Sequence, residues 1–137
     1  MSQQSFTIRT RPRSFEDITG RIAGIVQASN VQCGLCNVFL RHTSASLLIC
    51  ENADVAVRRD LERYMARTAP EDGSQYEHDA EGPDDMPSHI RSMLTGVSLS
   101  VPVGQGRLLL GTWQGIYLWE HRAASHERQI VVTVQGC

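Results

Sequence analysis

Apolar and polar residues alternate or form short apolar runs near both ends of the chain, whereas the middle carries the three-to-four-residue apolar spacing of helices. The first pattern predicts strands over residues 6–10, 35–41, 47–51, 97–103, 107–112, 115–120 and 128–135. The second predicts helices over residues 20–29, from 55 to about 67, and from 84 to about 94, with Gly96 ending the last one. Strands therefore dominate both ends of the chain, and helices group in the middle.

This order of elements favours an α+β fold over repeated strand–helix units, which build parallel sheets. With 137 residues, the chain is long enough for one domain with its own hydrophobic core. We therefore predict a single domain, residues 1–137, built on a large, mostly antiparallel mixed β-sheet. We expect a sandwich-like arrangement with a few helices.

Polar residues in front of the predicted helices indicate caps. Thr19 precedes the first helix, Asn52 and Asp54 precede the second and Asp84 precedes the third, and each side chain can accept from a free backbone N–H. Asp85 complements the positive end of the third helix. The apolar stripe of the second helix predicts core contacts by Val57, Leu61 and Tyr64.

Composition excludes several classes of partner. The formal net charge is −2 and the arginines are spread along the chain, so we expect no nucleic-acid partner. Apolar runs such as residues 47–50 and 130–132 are far too short to cross a bilayer, so we expect no membrane partner. The first six residues lack the apolar stretch of a signal peptide, which predicts a cytoplasmic location.

The four cysteines do not predict chemistry. Cys33 and Cys36 have the spacing of a redox or zinc pair, but they fall at the start of a predicted strand. Residues three apart on a strand point to opposite faces, and no second pair of cysteines completes a zinc site. We expect the cysteines to be small apolar packing residues.

His42 lies at the end of a predicted buried strand and is followed by two hydroxyls, Thr43 and Ser44. Strand ends are where a rigid scaffold presents side chains to a pocket, and these hydroxyls can donate to a phosphate or a carboxylate. A turn in which they bond the local backbone explains them equally well.

The third predicted helix places Asp85 and His89 one turn apart on the same face. Such a pair can share a metal ion, or the carboxylate can orient the imidazole. The alternative is a capping residue and a surface histidine. His78 precedes this helix in a long loop, residues 70–83, and loops of this length are more often functional or mobile than neutral connections.

Residues 111–122 are rich in aromatic and polar side chains. Gln114 lies between the two tryptophans, and Glu120, His121 and Arg122 follow the second one. A hairpin with an ion pair and buried aromatic rings explains the tryptophans, but it does not explain why Gln114 and His121 flank them. Nearby groups that we expect to be solvated are Arg107, His126 and Arg128.

Several of these runs follow one another in a fixed order along the chain, over residues 42–47, 51–54, 76–78, 84–90, 94–96, 111–117, 120–122 and 128–136. Taken together and in that order, they resemble the sequences of the YjbQ family of small conserved proteins, the UPF0047 group. The resemblance implies a compact mixed α/β protein with a large sheet that assembles as a homotrimer. Some members are named secondary thiamine-phosphate synthases, which implies a weak activity that joins a hydroxymethylpyrimidine diphosphate to a thiazole phosphate and releases pyrophosphate.

The resemblance also implies a polar cluster formed by His42, Thr43, Ser44, Asn52, His78, Asp84, Asp85, His89, Gln114, Glu120 and His121. Within this cluster we expect His78, His89 and His121 to bind a divalent metal ion. We expect zinc, because zinc readily takes imidazole ligands, and magnesium is the alternative. Asp85 is expected as a fourth ligand or as the partner of a ligand.

An anion pocket for a small phosphorylated metabolite is expected beside the metal, lined by Thr43, Ser44, Asn52, Gln114 and Arg122. The expected catalytic groups are Asp85 and a general acid or base, His42 or Glu120. Two other functions remain open at this point. One is a metal-dependent hydrolase of a phosphorylated metabolite, and the other is a non-catalytic trimeric binding protein.

Overall fold

The computed structural model describes residues 1–137 and contains eight strands, three α-helices and one short 3-10 helix. The strands are β1 (Ser2–Arg9), β2 (Phe15–Asp17), β3 (Cys33–Leu40), β4 (Ala45–Glu51), β5 (Ser98–Gly104), β6 (Arg107–Leu108), β7 (Gln114–Glu120) and β8 (Glu127–Gly136). The helices are α1 (Thr19–Ser29), α2 (Val55–Thr68) and α3 (Asp85–Thr95), and the 3-10 helix is Gly73–Gln75.

The strands form two sheets in which every paired strand is antiparallel. The larger sheet has the order β1-β8-β3-β5-β6, and the smaller has the order β2-β7-β4. The prediction of an α+β fold with mostly antiparallel strands is confirmed. None of the helices combines the length and the hydropathy needed to span a membrane.

The hydrophobic core is shared by both sheets and helix α1. Alternate residues of β8, namely Ile130, Val132 and Val134, are fully buried in it, because successive side chains of a strand point to opposite faces. Ile116 and Leu118 of β7 join the same cluster from the smaller sheet. This shared core fixes the position of the smaller sheet, which carries the chemically interesting residues at one end.

Strand β7 is buried on both faces. On its second face, Arg58 of α2 donates to the Tyr117 hydroxyl at 3.1 Å. Helix α3 packs on the neighbouring strand β4, where Ser92 donates to the carbonyl of Ala45 at 3.0 Å. In the β4–β7 register Ala45 pairs with Glu120. The segments just before β4 and just after β7 therefore lie together, beside α3.

Most predicted elements are confirmed to within a few residues, and so is the Asp54 cap, which accepts from the N–H of Ala56 at 2.9 Å. The predicted Thr19 cap is wrong. Helix α1 begins after Ile18, and the Thr19 hydroxyl instead accepts from the N–H of Ile116 at 2.8 Å, which ties α1 to β7. Tyr64 is 58% exposed, so its predicted core contact is also wrong, and Met65 is the buried residue of α2.

Two further predictions differ from the structure in extent. Only Arg107–Leu108 of the strand predicted over residues 107–112 is paired, and strand β2 was not predicted at all. Cys36 is buried, as expected for a packing residue, and Cys33 lies on the other face of β3, as strand alternation predicts. The packing role is wrong for Cys33 and Cys137, which are exposed, and all four thiols are free.

Candidate metal centre

Three potential metal ligands meet at the start of helix α3. The Nε2 atom of His78 lies 2.7 Å from Oδ2 of Asp85, and Nε2 of His89 lies 3.2 Å from the same oxygen. The donor atoms of the three side chains all lie within 4.8 Å of one another. Asp85 and His89 come from one face of α3, whereas His78 comes from the loop before it.

Asp85 is the buried member of this cluster, with 4% of its surface exposed. Burial alone raises the pKa of its carboxyl group, but hydrogen bonds and charges from His78, His89 and Arg122 outweigh that effect and hold the pKa below its usual range. The side chains of His78 and His89 are 48% and 31% exposed. The carboxylate therefore forms the floor of the cluster, and the imidazoles form its solvent-facing side.

Arg122 holds the carboxylate in place from behind. Its Nη1 lies 3.1 Å from Oδ1 of Asp85, its Nε donates to Oδ2 of Asp84 at 2.8 Å, and its Nη2 donates to the carbonyl of Glu81 at 2.9 Å. The N–H of Ala123 also donates to Asp84 at 2.8 Å. Because its donors point at protein acceptors, Arg122 positions Asp85 and the preceding loop.

The orientation of His89 bears directly on metal binding. Its Nδ1 lies 2.8 Å from the backbone carbonyl of Thr43, and a carbonyl can only accept, so Nδ1 carries the hydrogen. In the neutral ring, Nε2 then bears a lone pair that faces the Asp85 carboxylate. Two acceptors at this distance repel unless His89 is protonated or a cation binds between them. Metal-bound histidines usually donate their second N–H to a carbonyl or carboxylate in this way.

A cavity of about 520 Å³ opens beside His89. It is lined by His42, Thr43, Ser92, Met93 and Val97 as well as His89 and Gly96. The candidate metal centre therefore borders a space large enough for a small metabolite, with apolar side chains on one part of its wall.

Comparison with known proteins places the chain in a family. The family model described as UPF0047 protein YjbQ-like matches residues 4–137. UPF0047 protein sll1880 of Synechocystis is 52% identical over 98% of this chain and 91% of its own length. UPF0047 protein YjbQ of Salmonella typhimurium is 50% identical over 98% of this chain and 97% of its own. The chain belongs to the YjbQ family, UPF0047.

Solved structures of similar proteins have the same fold. A YbjQ-like protein of unknown function from Sulfolobus solfataricus superimposes with a TM-score of 0.91 at 25% identity, covering 99% of this chain and 97% of its own. A hypothetical protein from Aeropyrum pernix superimposes with a TM-score of 0.90 at 28% identity and covers both chains completely. Membership of the YjbQ family thus accounts for the fold and leaves the activity to be argued from the site.

Of the three predicted histidine ligands in this YjbQ-family chain, His121 lies apart from the other two. Its ring is 2% exposed, its Nε2 is hydrogen-bonded to Ser46 at 2.7 Å, and it packs on Trp119 with 4.8 Å between ring centroids. Burial, together with the charges of Arg91 and Arg128, lowers the pKa of His121 to about 3. The third donor beside His78 and His89 is Asp85.

Glu120, the predicted acid or base, is part of a buried ion pair. It is fully buried, and its two oxygens accept from Nε of Arg128 at 2.8 Å and Nη2 of Arg128 at 2.5 Å. Thr10 and the N–H of Arg122 donate to it as well, at 2.6 and 3.1 Å. Despite burial, which raises it, the pKa of Glu120 is held below its usual range by these donors. The prediction that Arg128 is solvated is wrong, since it is 4% exposed.

The predicted anion-pocket residues do not all meet. Ser44 is buried and accepts from Arg128 at 3.0 Å, so its hydroxyl belongs to the ion-pair network. Asn52 and Gln114 lie at the other end of the β4–β7 pair, where Gln114 pairs with Glu51. A seven-residue strand spans roughly 20 Å, which separates these two amides from the candidate metal centre. Thr43 alone lies beside His89.

His42 reaches the cavity beside His89 as a neutral ring. Its Nε2 accepts from the backbone N–H of Gln129 at 2.8 Å, so the hydrogen of the neutral ring lies on Nδ1. Burial and the charge of Arg128 lower the pKa of His42 below its usual value. His42 is therefore suited to donate a hydrogen bond to a ligand.

Sequence reasoning missed two contacts that shape the centre. Asp84 is expected as a helix cap and as a member of the polar cluster, but its side chain makes no cap hydrogen bond and binds Arg122 and Ala123 instead. The backbone of Thr43 orients His89. Both contacts depend on the approach of segments that are distant in the sequence, which no local pattern records.

Proposed function

We propose that this chain binds one divalent metal ion through His78, Asp85 and His89, and that this metal centre binds a small phosphorylated metabolite. The donor atoms of the three residues favour zinc as this ion. The observation that carries the proposal is the orientation of His89, whose hydrogen bond to the Thr43 carbonyl turns a lone pair toward Asp85. A cation between these groups removes the repulsion that the neutral ring would otherwise meet.

The donor set favours zinc over magnesium. Two imidazole nitrogens and one carboxylate form a common ligand set of zinc sites, whereas magnesium prefers oxygen ligands in an octahedral arrangement. Ligands about 2.0–2.1 Å from a tetrahedral zinc ion lie roughly 3.3 Å from one another. The Nε2 atoms of His78 and His89 lie 2.7 and 3.2 Å from the Asp85 oxygen, which is close to that value. Small movements of these side chains therefore suffice to bring their donor atoms to the distances of zinc ligands.

The cavity beside His89 supports a phosphorylated ligand. The Nδ1–H of His42 and the hydroxyl of Thr43 are donors on its wall, and neither has an acceptor within the chain. The apolar wall, with Met93 and Val97, suits the non-polar part of a metabolite. Arg122 supports the site by holding Asp85 in position. This role explains why Arg122 lies in the cluster better than a direct contact between Arg122 and a ligand does.

We propose a weak thiamine-phosphate synthase activity for this site. In that reaction the bond between the pyrimidine methylene and the diphosphate oxygen breaks, and a bond forms between that methylene and the thiazole nitrogen. A bound metal ion supplies a positive charge that stabilises the departing diphosphate. His42 and Thr43 bind the phosphate oxygens, while Arg122 keeps Asp85 in its ligand position.

A metal-dependent hydrolase is the second candidate, and one observation favours it. The cluster contains three protein ligands, and catalytic zinc sites characteristically use three and leave a further position open. The same cavity then accepts a single phosphorylated substrate.

A substrate panel separates the two activities. We expect the wild-type protein with added zinc to release pyrophosphate only when the pyrimidine diphosphate and the thiazole phosphate are both present. His89→Ala removes a ligand and is expected to lower that rate at least a hundredfold, whereas His126→Ala, outside the cluster, leaves it unchanged. Phosphate release from one substrate alone would exclude the synthase and support the hydrolase.

We also propose that the chain assembles as a homotrimer. Leu35 and Phe39 on the outer face of the larger sheet are 50% and 43% exposed, and large apolar side chains grouped on one face favour association. The mass of the protein in solution, measured by sedimentation equilibrium, tests this assembly.

A further inference from the structure

A second cavity, of about 460 Å³, lies between the β1–β2 connection and helix α2. Four arginines line it: Arg11, Arg13, Arg58 and Arg59. It shares no lining residue with the cavity beside His89. Four guanidinium groups around one cavity are unusual in a chain whose formal net charge is −2.

Two of these guanidinium groups are not neutralised by a carboxylate. Arg58 uses only Nη1, which donates to the carbonyl of Glu51 and the hydroxyl of Tyr117, both at 3.1 Å. Arg59 is exposed and has no hydrogen bond or ion pair within the chain. Both side chains line this cavity, so their free donors are available to one ligand there.

The remaining charges of the cavity are balanced by pairs. Arg11 pairs with Glu16 at 3.3 Å, and Arg13 pairs with Glu71. Glu62, the one acidic residue of the lining, pairs with Arg91 of α3. The excess positive charge of the cavity therefore comes from Arg58 and Arg59.

One donor on the cavity wall lacks a partner within the chain. Nε of Arg13 is buried and makes no hydrogen bond. A buried donor of this kind usually binds a water molecule or a ligand, and a phosphate oxygen can accept from it.

Apolar side chains complete the wall. Phe15 stacks on Trp119 with 4.4 Å between ring centroids, and this contact holds its ring in place. Val55, at the start of α2, is 49% exposed. A ligand with an anionic group and an apolar body matches this combination, whereas inorganic phosphate uses only the polar part.

We propose that this second cavity binds a small organic phosphate, with the phosphate group held by Arg58 and Arg59 and the apolar body packed against Phe15 and Val55. Planar guanidinium groups with free N–H donors bind phosphate oxygens in pairs of charge-assisted hydrogen bonds. The site is separate from the candidate metal centre and does not depend on its function.

Isothermal titration of the purified full-length protein with phenyl phosphate and with inorganic phosphate tests the site. We expect one saturable phenyl phosphate site per chain whose affinity is at least about tenfold weaker in Arg59→Gln. Arg63→Gln is the matched control, because it removes the same charge from an exposed position on α2 outside the cavity. It is expected to bind as wild type does.

Inorganic phosphate is expected to bind at least about tenfold more weakly than phenyl phosphate, because it lacks the apolar body. The metal centre is identical in the three proteins, so phenyl phosphate bound there gives the same titration component in all of them, and only a component that changes with Arg59→Gln belongs to the cavity. No saturable binding, or equal weakening by Arg59→Gln and Arg63→Gln, would overturn the site. Equal affinity for the two phosphates would overturn the role given to Phe15 and Val55.

Discussion

Replacing Arg128 with methionine is expected to lower the free energy of unfolding by about 3–5 kcal/mol, as the removal of one partner from a buried ion pair typically does. The substitution leaves the Glu120 carboxylate fully buried without its two strongest donors, and it removes the donor to Ser44. Denaturation in urea, followed by tryptophan fluorescence, measures the change. Against a total stability of about 5–15 kcal/mol the loss is large.

Arg9→Met is the matched control for this prediction. Arg9 pairs with Glu127 at 3.8 Å on the neighbouring strand, but both side chains are about 70% exposed, at 71% and 69%. Exposed pairs contribute about 0–1 kcal/mol, so this substitution is expected to change little. If Arg128→Met costs no more than Arg9→Met, Glu120 does not depend on Arg128 for its burial.

The pH dependence of the same pair has a definite sign. The pKa of Glu120 is lower in the folded protein than in the unfolded chain, so the pair stabilises the fold above the unfolded value, near 4.5. That stabilisation is lost as the pH falls through the folded value. Acid unfolding of Arg128→Met is therefore expected to begin at a higher pH than that of the wild type.

The second large effect is the pH dependence contributed by His121. Its pKa is lowered to about 3 by burial, whereas in the unfolded chain it lies near 6.5. Below pH 6.5 the unfolded chain binds a proton that the folded protein excludes, so stability falls as the pH falls. Between pH 7.5 and pH 5 this one group is expected to cost about 2 kcal/mol.

Urea denaturation at a series of pH values tests this contribution by comparing the wild type with His121→Gln. Between pH 7.5 and pH 5 the variant is expected to lose about 2 kcal/mol less stability than the wild type, with His42, whose pKa is also lowered, still contributing a smaller slope. His126→Gln, which replaces a partly exposed histidine, is expected to keep the slope of the wild type. Identical slopes in the wild type and His121→Gln would mean that His121 is accessible to protons in the fold.

The sequence pattern predicts most of the fold because alternation and helical spacing report local burial. It misses β2, since Phe15–Asp17 is too short and too polar to show an alternation. The burial of Arg128 was predictable. It has the same parity along β8 as Ile130, Val132 and Val134, which all face the core.

The candidate metal centre was predictable only in part. The spacing of Asp85 and His89 fixes their shared face on α3, because that relation is local. The approach of His78 depends on the path of a long loop. The position of His121 depends on α3 covering the second face of the smaller sheet, where Ser88 donates to the His121 carbonyl at 2.9 Å. Strand alternation predicts the face of a residue but not what covers that face.

The central claim is that His78, Asp85 and His89 hold a metal ion. The most direct measurement is the metal content of protein purified without a histidine tag, before and after adding zinc and removing the excess. We predict about one zinc ion per chain, lost in His78→Ala, His89→Ala and Asp85→Asn and kept in His121→Gln and His126→Ala. Substoichiometric metal in the wild type, with none regained on adding zinc, would contradict the claim.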